Sequence, residues 1–442
     1  MYFKLSFRNA KRSIIDYLLY IVTMVILLSI MEVSNCISIM GKIQAGFQTV
    51  SLPILITIIL IVLVDYIDTF MLKQRAKEFS NYFLMGMEKR KLSCMFLCEF
   101  FIIGIICLVV GIMIGFGIYT VLCKTVMIKG NGISLSLFLL SLVQTFFYFS
   151  IIEGVCAFRI RYNMDKLQIR ELMCEKDRNQ KIGKCPVYKK LGIILIASFL
   201  CLVGLLFGIV FMPNYIAFPI ISIISVPLLC FIFIFYKWLF GYLYAVRQKQ
   251  SDFLYHDDRL YMLTRITSNL KTNAIMNSVF CMCLIFSAMA FFSGIIMLHP
   301  DINIFNTDTR QWMGFLQISI CIIFNVIYFS ILSLQQIVEL KRESKSIKIL
   351  HYIGKSSKQV RNILKKQIII RLFLPMVLAF FILLFSIPII NLKMNLLLPI
   401  TMHNILLKSA GWFTLCFLFF YLCYFVVTYN ISRQYVEIVI DK

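Results

Sequence analysis

The chain has 442 residues, of which 60% are hydrophobic and only 15% charged, and its mean hydropathy is +0.87. That composition excludes a soluble globular protein and predicts an all-α polytopic membrane protein. The net charge of +23 would suit a nucleic-acid binder only if it were gathered on a soluble domain with stacking aromatics; no such domain is visible, so no nucleic acid is expected.

A helix needs about 20 apolar residues to cross the hydrocarbon core. Ten runs of that kind are centred near Tyr20, Leu60, Val110, Phe147, Leu202, Leu228, Leu284, Phe324, Leu383 and Phe420. The first follows a basic amphipathic lead-in, Leu5 to Ser13. It reads as a retained anchor, because the run is long and lacks a small-residue cleavage site after it. The second begins after Pro53 and carries Asp65 and Asp68 near its inner end, where hydration or pairing with Lys73 or Arg75 is expected. Gly104, Gly111, Gly115 and Gly117 give the third a small-residue face, with packing inside the chain as the first expectation and self-association as the alternative. The fourth ends at Glu153, before Arg159 and Arg161.

Residues 159–190 read as an inner linker, helical to about Asp177. The fifth and sixth runs form a tight pair joined near Pro213 and Asn214, and Pro219 and Pro227 are expected to break the sixth. Residues 244–272 return to the inner side and enter the seventh run through Arg265, Asn269, Lys271 and Asn273. A short outer loop, His299 to Gln311, precedes the eighth. The ninth opens with Gln367 and holds Pro375 and Pro388; the tenth runs from about Ala410 to Asn430.

A shift of 268 positions lays Lys341–Arg371 over Lys73–Ile103. Lys341 then meets Lys73, Lys345 meets Lys77, Ile347 meets Phe79, Leu350 meets Tyr82, Ile353 meets Met85, Gly354 meets Gly86, Lys358 meets Arg90 and Gln367 meets Glu99. Each copy has the same order: apolar run, basic amphipathic helix, glycine, basic turn, apolar run. That order predicts a duplicated module, with a four-span repeat in 1–158, the linker 159–190, a two-span insert in 191–243 and a second four-span repeat in 244–442. Both repeats start on the same side, so they are parallel in topology. In each copy the basic stretch is predicted as a short helix lying along the membrane face, ended by a glycine in the left-handed conformation. The plainer alternative is a basic loop snorkelling toward lipid headgroups of the bilayer.

If the N-terminus is inside, the inner segments hold 38 of the 44 Lys and Arg residues, which places both termini in the cytoplasm. The cysteines number 15, an odd count, and Cys107, Cys201, Cys230, Cys281, Cys283, Cys321 and Cys416 lie inside apolar runs as small apolar residues. Cys281 and Cys283 should point to different faces; Cys94 and Cys98 share one, with no histidine nearby, and no metal is assigned. Gly354-Lys355-Ser356-Ser357 is not a phosphate loop, since Ile349 stands where that motif requires glycine. His256, Asp257 and Asp258 read as solvated loop residues. No catalytic residue and no cofactor site is expected in this chain.

The stretches LSFRNAKRSIIDYLLYIVT, KEFSNYFLMGMEKRKL, YMLTRITSNLKTN and IKILHYIGKSSKQVRNILKKQIIIRLFLP together resemble the FtsX-like permeases of ABC transporters. Within these they are most similar to the ten-span group associated with resistance to bacitracin and other antimicrobial peptides in Gram-positive bacteria. The resemblance implies a multi-pass plasma-membrane subunit driven by a separate cytoplasmic ABC ATPase, present in two copies. It implies contact with that ATPase through Glu78, Phe79, Tyr82, Phe83, Gly86 and Met87 in the first copy. Ile347, Leu350, Ile353, Gly354 and Lys355 are the counterparts in the second. The group carries a large extracellular domain between spans seven and eight, and His299 to Gln311 is far too short to be one. A second reading is a non-transporting scaffold whose ATP-driven movement controls a sensor histidine kinase or a cell-wall hydrolase.

Overall fold

The structure is a computed structural model, described at residues 14–45, 53–54, 56–58, 60–62, 64–65, 68, 80–82, 84–125, 135–166, 188–211, 224–248, 259–267, 270–299, 307–397 and 403–441. Its helices are α1 (Ile14–Ala45), α2 (Lys89–Thr125), α3 (Leu135–Lys166), α4 (Tyr188–Phe211) and α5 (Ser225–Gln248), followed by α6 (Arg259–Ile266), α7 (Leu270–Leu298), α8 (Thr307–Tyr352), α9 (Ser357–Leu397) and α10 (Ile405–Asp441). Eight of the described helices are long and apolar enough to cross a membrane, and α1 contributes a further apolar stretch, Met24–Ile39. The second predicted run is described at scattered positions between 53 and 68, all of them helical. The protein is an all-α polytopic membrane protein. The lead-in Leu5 to Ser13, Lys73, Arg75, Pro219 and His256–Asp258 lie outside the described residues.

The chain divides into two compact units, 1–178 with 329–334, and 179–328 with 335–442. In the first, α1 packs along α2 and against α3, and α2 packs on α3. The α1–α2 seam is built on small residues: a Cβ on Gly111 would lie 2.8 Å from Leu28 Cβ, and one on Gly115 would lie 2.5 Å from the Ser29 carbonyl oxygen. Those glycines let two backbones approach where any larger residue would hold them apart. The small-residue face thus packs inside the chain at Gly111 and Gly115, whereas Gly117 faces open space.

In the second unit α7 touches α5, α9 and α10, and α4 packs on α5 and α9. Because α7 is surrounded, Cys281 and Cys283 are both buried although they point different ways around the helix. Ser287 on α7 receives a hydrogen bond of 2.7 Å from Asn325 Nδ2 on α8. Aromatic pairs Phe280–Tyr328 and Tyr328–Phe417 extend the same core. Pro375 and Pro388 both lie inside α9, as expected. Tyr236 on α5 directs its hydroxyl at the carbonyls of Leu374 and Pro375, 3.2 and 3.3 Å away, tying α5 to the proline-containing stretch of α9. Near the Gly354 end of the unit, Arg371 Nη2 sits 3.1 Å from Glu339 Oε2, largely shielded from solvent. At the opposite end of α9, Asn404 adopts φ 60, stabilised by amide donation from Asn391 and Asn395 to its side-chain oxygen at 2.9 and 3.1 Å.

Four expectations are corrected. The second basic stretch is not a short separate helix on the membrane face, because α8 runs unbroken for 46 residues from Thr307 to Tyr352. At 1.5 Å per residue it is about 69 Å long, more than twice the hydrocarbon thickness. Its early start also shortens the connection after α7 to residues 299–306, so the helix has begun before Gln311. Pro227 does not break the sixth run; it sits in the first turn of α5, where its missing N–H costs no helical hydrogen bond. The span is therefore centred later than Leu228. Finally, Asp65 pairs with Arg159 at 2.7 Å, and Asp68 is buried with Oδ1 unpartnered instead of hydrated. The helix carrying Arg159 continues past Glu153 to Lys166, and the remainder of the 159–190 linker up to 187 lies outside the described residues.

Candidate functional site

The residues just before Gly86 and Gly354 end their helices by the same device. Both glycines have positive φ, 86° and 98°, a conformation that side chains with a Cβ rarely adopt. In the first copy Met85 N–H donates to the Asn81 carbonyl at 3.1 Å, and Met87 N–H reaches back five residues to Tyr82 at 3.1 Å. In the second, Ile353 N–H donates to Ile349 at 3.0 Å, and Lys355 N–H reaches back to Leu350 at 3.2 Å. The five-residue bond with a left-handed glycine inside it is a Schellman cap. The following helices also begin in register: Leu92 N–H donates to Glu88, and Val360 N–H to Ser356. Every one of these bonds maps onto its counterpart under the 268-residue shift.

The second turn has an added lock. Ser356 N–H donates to Gln359 Oε1 at 3.1 Å, and Gln359 N–H donates to Ser356 Oγ at 3.4 Å, which is a capping box. Past the caps the burial pattern repeats as well. Leu92, Met95, Phe96, Glu99 and Phe100 are buried in α2, and Val360, Ile363, Leu364, Gln367 and Ile368 are buried in α9.

What the two turns present outward is apolar. Met85 is 73% exposed and Ile353 74%, with Leu84 and Tyr352 exposed beside them. Exposed Arg90 and Lys91 follow the first turn, and exposed Lys358, Lys365 and Lys366 follow the second. Tyr82, Met87, Leu350 and Lys355 are half-buried, on the inner flank of their turns. Glu78, Phe79 and Phe83 lie outside the described residues, and Ile347 is placed in α8 by its backbone only. The first turn belongs to one compact unit and the second to the other.

A second constellation, within the first unit, was not anticipated from the sequence. Glu32 on α1 is fully buried. Ser141 Oγ–H donates to Glu32 Oε1 at 2.6 Å, Thr145 Oγ1–H donates to Oε2, and the Cys36 thiol donates to Oε1 at 3.6 Å. Asn35 Nδ2 donates to Thr145 Oγ1 at 2.7 Å, so the cage joins α1 to α3. From α2, Gly115 closes over it, since a Cβ there would stand 2.7 Å from Glu32 Cβ. The available signal was one carboxylate in an otherwise apolar run, with Ser29, Asn35, Cys36 and Ser38 at helical spacing around it.

Residues 50–161 match the protein family described as FtsX-like permease C-terminal, a stretch that takes in the first turn and nearly all of α2 and α3. It covers about a quarter of the chain. No curated protein matches the sequence. Together with eight apolar helices of spanning length, that match supports a membrane permease component of an ABC-type system.

Proposed function

We propose that this chain is the membrane subunit of an ABC transporter complex, coupling ATP hydrolysis by a separate cytoplasmic ATPase to transport of an envelope substrate or protection from antimicrobial peptides. The observation that carries the reading is the pair of glycine-capped turns, 268 residues apart, each with an exposed apolar tip followed by basic residues. An exposed Met or Ile at the tip of a rigid, hydrogen-bonded turn is a poor choice for water and a good anchor for a partner's pocket. Placing Lys and Arg on the cytoplasmic side puts both turns there, within reach of two copies of a soluble motor. The basic surroundings call for an acidic rim on each motor subunit.

Tyr82–Met87 and Leu350–Lys355 are then the coupling elements, together with Glu78, Phe79, Phe83 and Ile347, their neighbours in sequence. In the second copy α8 runs straight from the span into the turn. Displacement of the Gly354 tip would be transmitted along a continuous rod instead of through a hinged surface helix. With residues 299–306 as the whole connection between α7 and α8, substrate would be gripped among the spans and not by an outer domain.

The test is co-purification with a candidate ATPase. Wild-type chain is expected to retain the ATPase and stimulate hydrolysis, and Gly86→Pro combined with Gly354→Pro is expected to lose both, because proline cannot adopt a positive φ. Unchanged binding and stimulation in the double variant would refute the docking role.

A further inference from the structure

We infer that α4 and α5 together build a binding site for an anionic phospholipid, its headgroup held by Lys189, Lys190, Lys237 and Trp238 at one membrane boundary of the second unit. The register of the two helices fixes the depth of the site. Beyond Lys190, α4 carries no charged residue to its end at Phe211. That run, 191–211, rises about 31 Å, which matches the hydrocarbon thickness and sets the boundary at Lys190. Gly192 is just inside it, and a Cβ there would stand 3.2 Å from Trp238 Nε1 on α5. Trp238 and the adjoining Lys237 therefore lie close to the headgroups, although both occupy the middle of α5. By its position in α5 alone Lys237 would be deep in hydrocarbon; the contact with α4 brings it to the boundary.

The chemistry of the site calls for phosphate oxygens. Lys189, Lys190 and Lys237 are all exposed, and Lys237 ends a stripe of α5 that also exposes Cys230 and Phe233, one and two turns away, to lipid. Among the described residues none of the three lysines forms an ion pair, although a cation at the edge of a span ordinarily has a partner. Trp238 is half-buried, and Tyr242 stacks on it with ring centroids 5.6 Å apart, which holds the indole in place. A side chain at 192 would cover the indole N–H edge; glycine leaves it open. The ammonium groups and the indole N–H are donors to a phosphate, while the lysine stems lie along the acyl chains. A zwitterionic headgroup brings its own cation, which three lysines repel, so the fit is to a lipid of net negative charge such as phosphatidylglycerol.

The test uses the full chain in phosphatidylcholine nanodiscs, with Trp312→Phe and Trp412→Phe so that Trp238 is the one remaining tryptophan. Phosphatidylglycerol with brominated chains is expected to quench Trp238 at a mole fraction about fivefold lower than brominated phosphatidylcholine, roughly the factor that one Lys contributes at an anionic surface. Lys189→Gln, Lys190→Gln and Lys237→Gln together should erase that preference; all three side chains are exposed, so the fold is kept. Lys365→Gln with Lys366→Gln, also exposed but on α9, should leave it intact, as should millimolar inorganic phosphate, because the occupant is a lipid and not a free anion. Equal quenching by the two lipids, a preference that survives the triple variant, the same loss in the α9 pair, or displacement by inorganic phosphate would overturn the proposal.

Discussion

Replacing Met85 and Ile353 together by aspartate is expected to abolish stimulation of the partner ATPase while leaving the membrane subunit folded. Both side chains are about three-quarters exposed, so the change removes little core packing and should alter stability by no more than about 0.5 kcal/mol. At the docking surface the outcome is different. An apolar anchor in a partner's pocket is worth about 2 kcal/mol or more when truncated, and a carboxylate would additionally be desolvated against the acidic rim proposed there. Two such losses weaken association at least about a hundredfold, even allowing for their non-additivity. The readout is ATPase activity against subunit concentration, with thermal unfolding as the control. Each single variant should fall between wild type and the pair, because both turns carry the same glycine cap and an exposed apolar tip. If only one of them mattered, the duplication would not extend to coupling.

Gly115 and Gly117, two residues apart on the same helix, should respond oppositely to the same substitution. A Cβ on Gly115 meets the Ser29 backbone oxygen at 2.5 Å and Glu32 Cβ at 2.7 Å, and a backbone carbonyl in a helix cannot step aside. Gly115→Ala is therefore expected to destabilise by about 1–3 kcal/mol, and a bulkier residue to prevent the α1–α2 seam from closing. Gly117 has nothing within 4 Å. There Gly117→Ala should be neutral or stabilising by up to about 1 kcal/mol, since alanine restricts the unfolded chain and favours the helix. Thermal unfolding in detergent distinguishes the two. Equal effects at both positions would mean that the seam does not rest on Gly115.

Much of this was legible in the sequence because the physics is local. The left-handed glycines could be located from a helix-length apolar pattern that stops at Gly86 and Gly354. The spacing of Leu92, Met95, Phe96, Glu99 and Phe100 is that of one buried helix face, and it repeats from Val360 to Ile368. The continuity of α8 was missed because Lys341, Arg342, Lys345 and Lys348 read as a boundary signal. Charge marks where a helix leaves the bilayer but not where it ends; between Gly314 and Gly354 there is neither glycine nor proline to stop it. Pro227 was misread for the complementary reason, since a proline is disruptive in a helix interior and harmless in its first turn.

The Glu32 cage was not legible because it is non-local. Ser141 and Thr145 are more than a hundred positions away from Glu32, and nothing in an apolar run of α3 announces that two of its hydroxyls face a carboxylate. The Asp65–Arg159 pair has the same character: the nearest cations in sequence, Lys73 and Arg75, drew the expectation, and a residue on a neighbouring helix made the contact. Pairing across helices depends on their rotation, which an apolar periodicity fixes only to within a residue or two.

The most direct test of the central claim is accessibility of a single thiol placed at Met85→Cys or Ile353→Cys, in a chain whose exposed cysteines are replaced by alanine. The account predicts that a membrane-impermeant thiol reagent modifies both positions in inverted vesicles and neither in intact cells, and that bound ATPase protects both. Modification from outside the cell, or labelling unaffected by a bound ATPase, would contradict it.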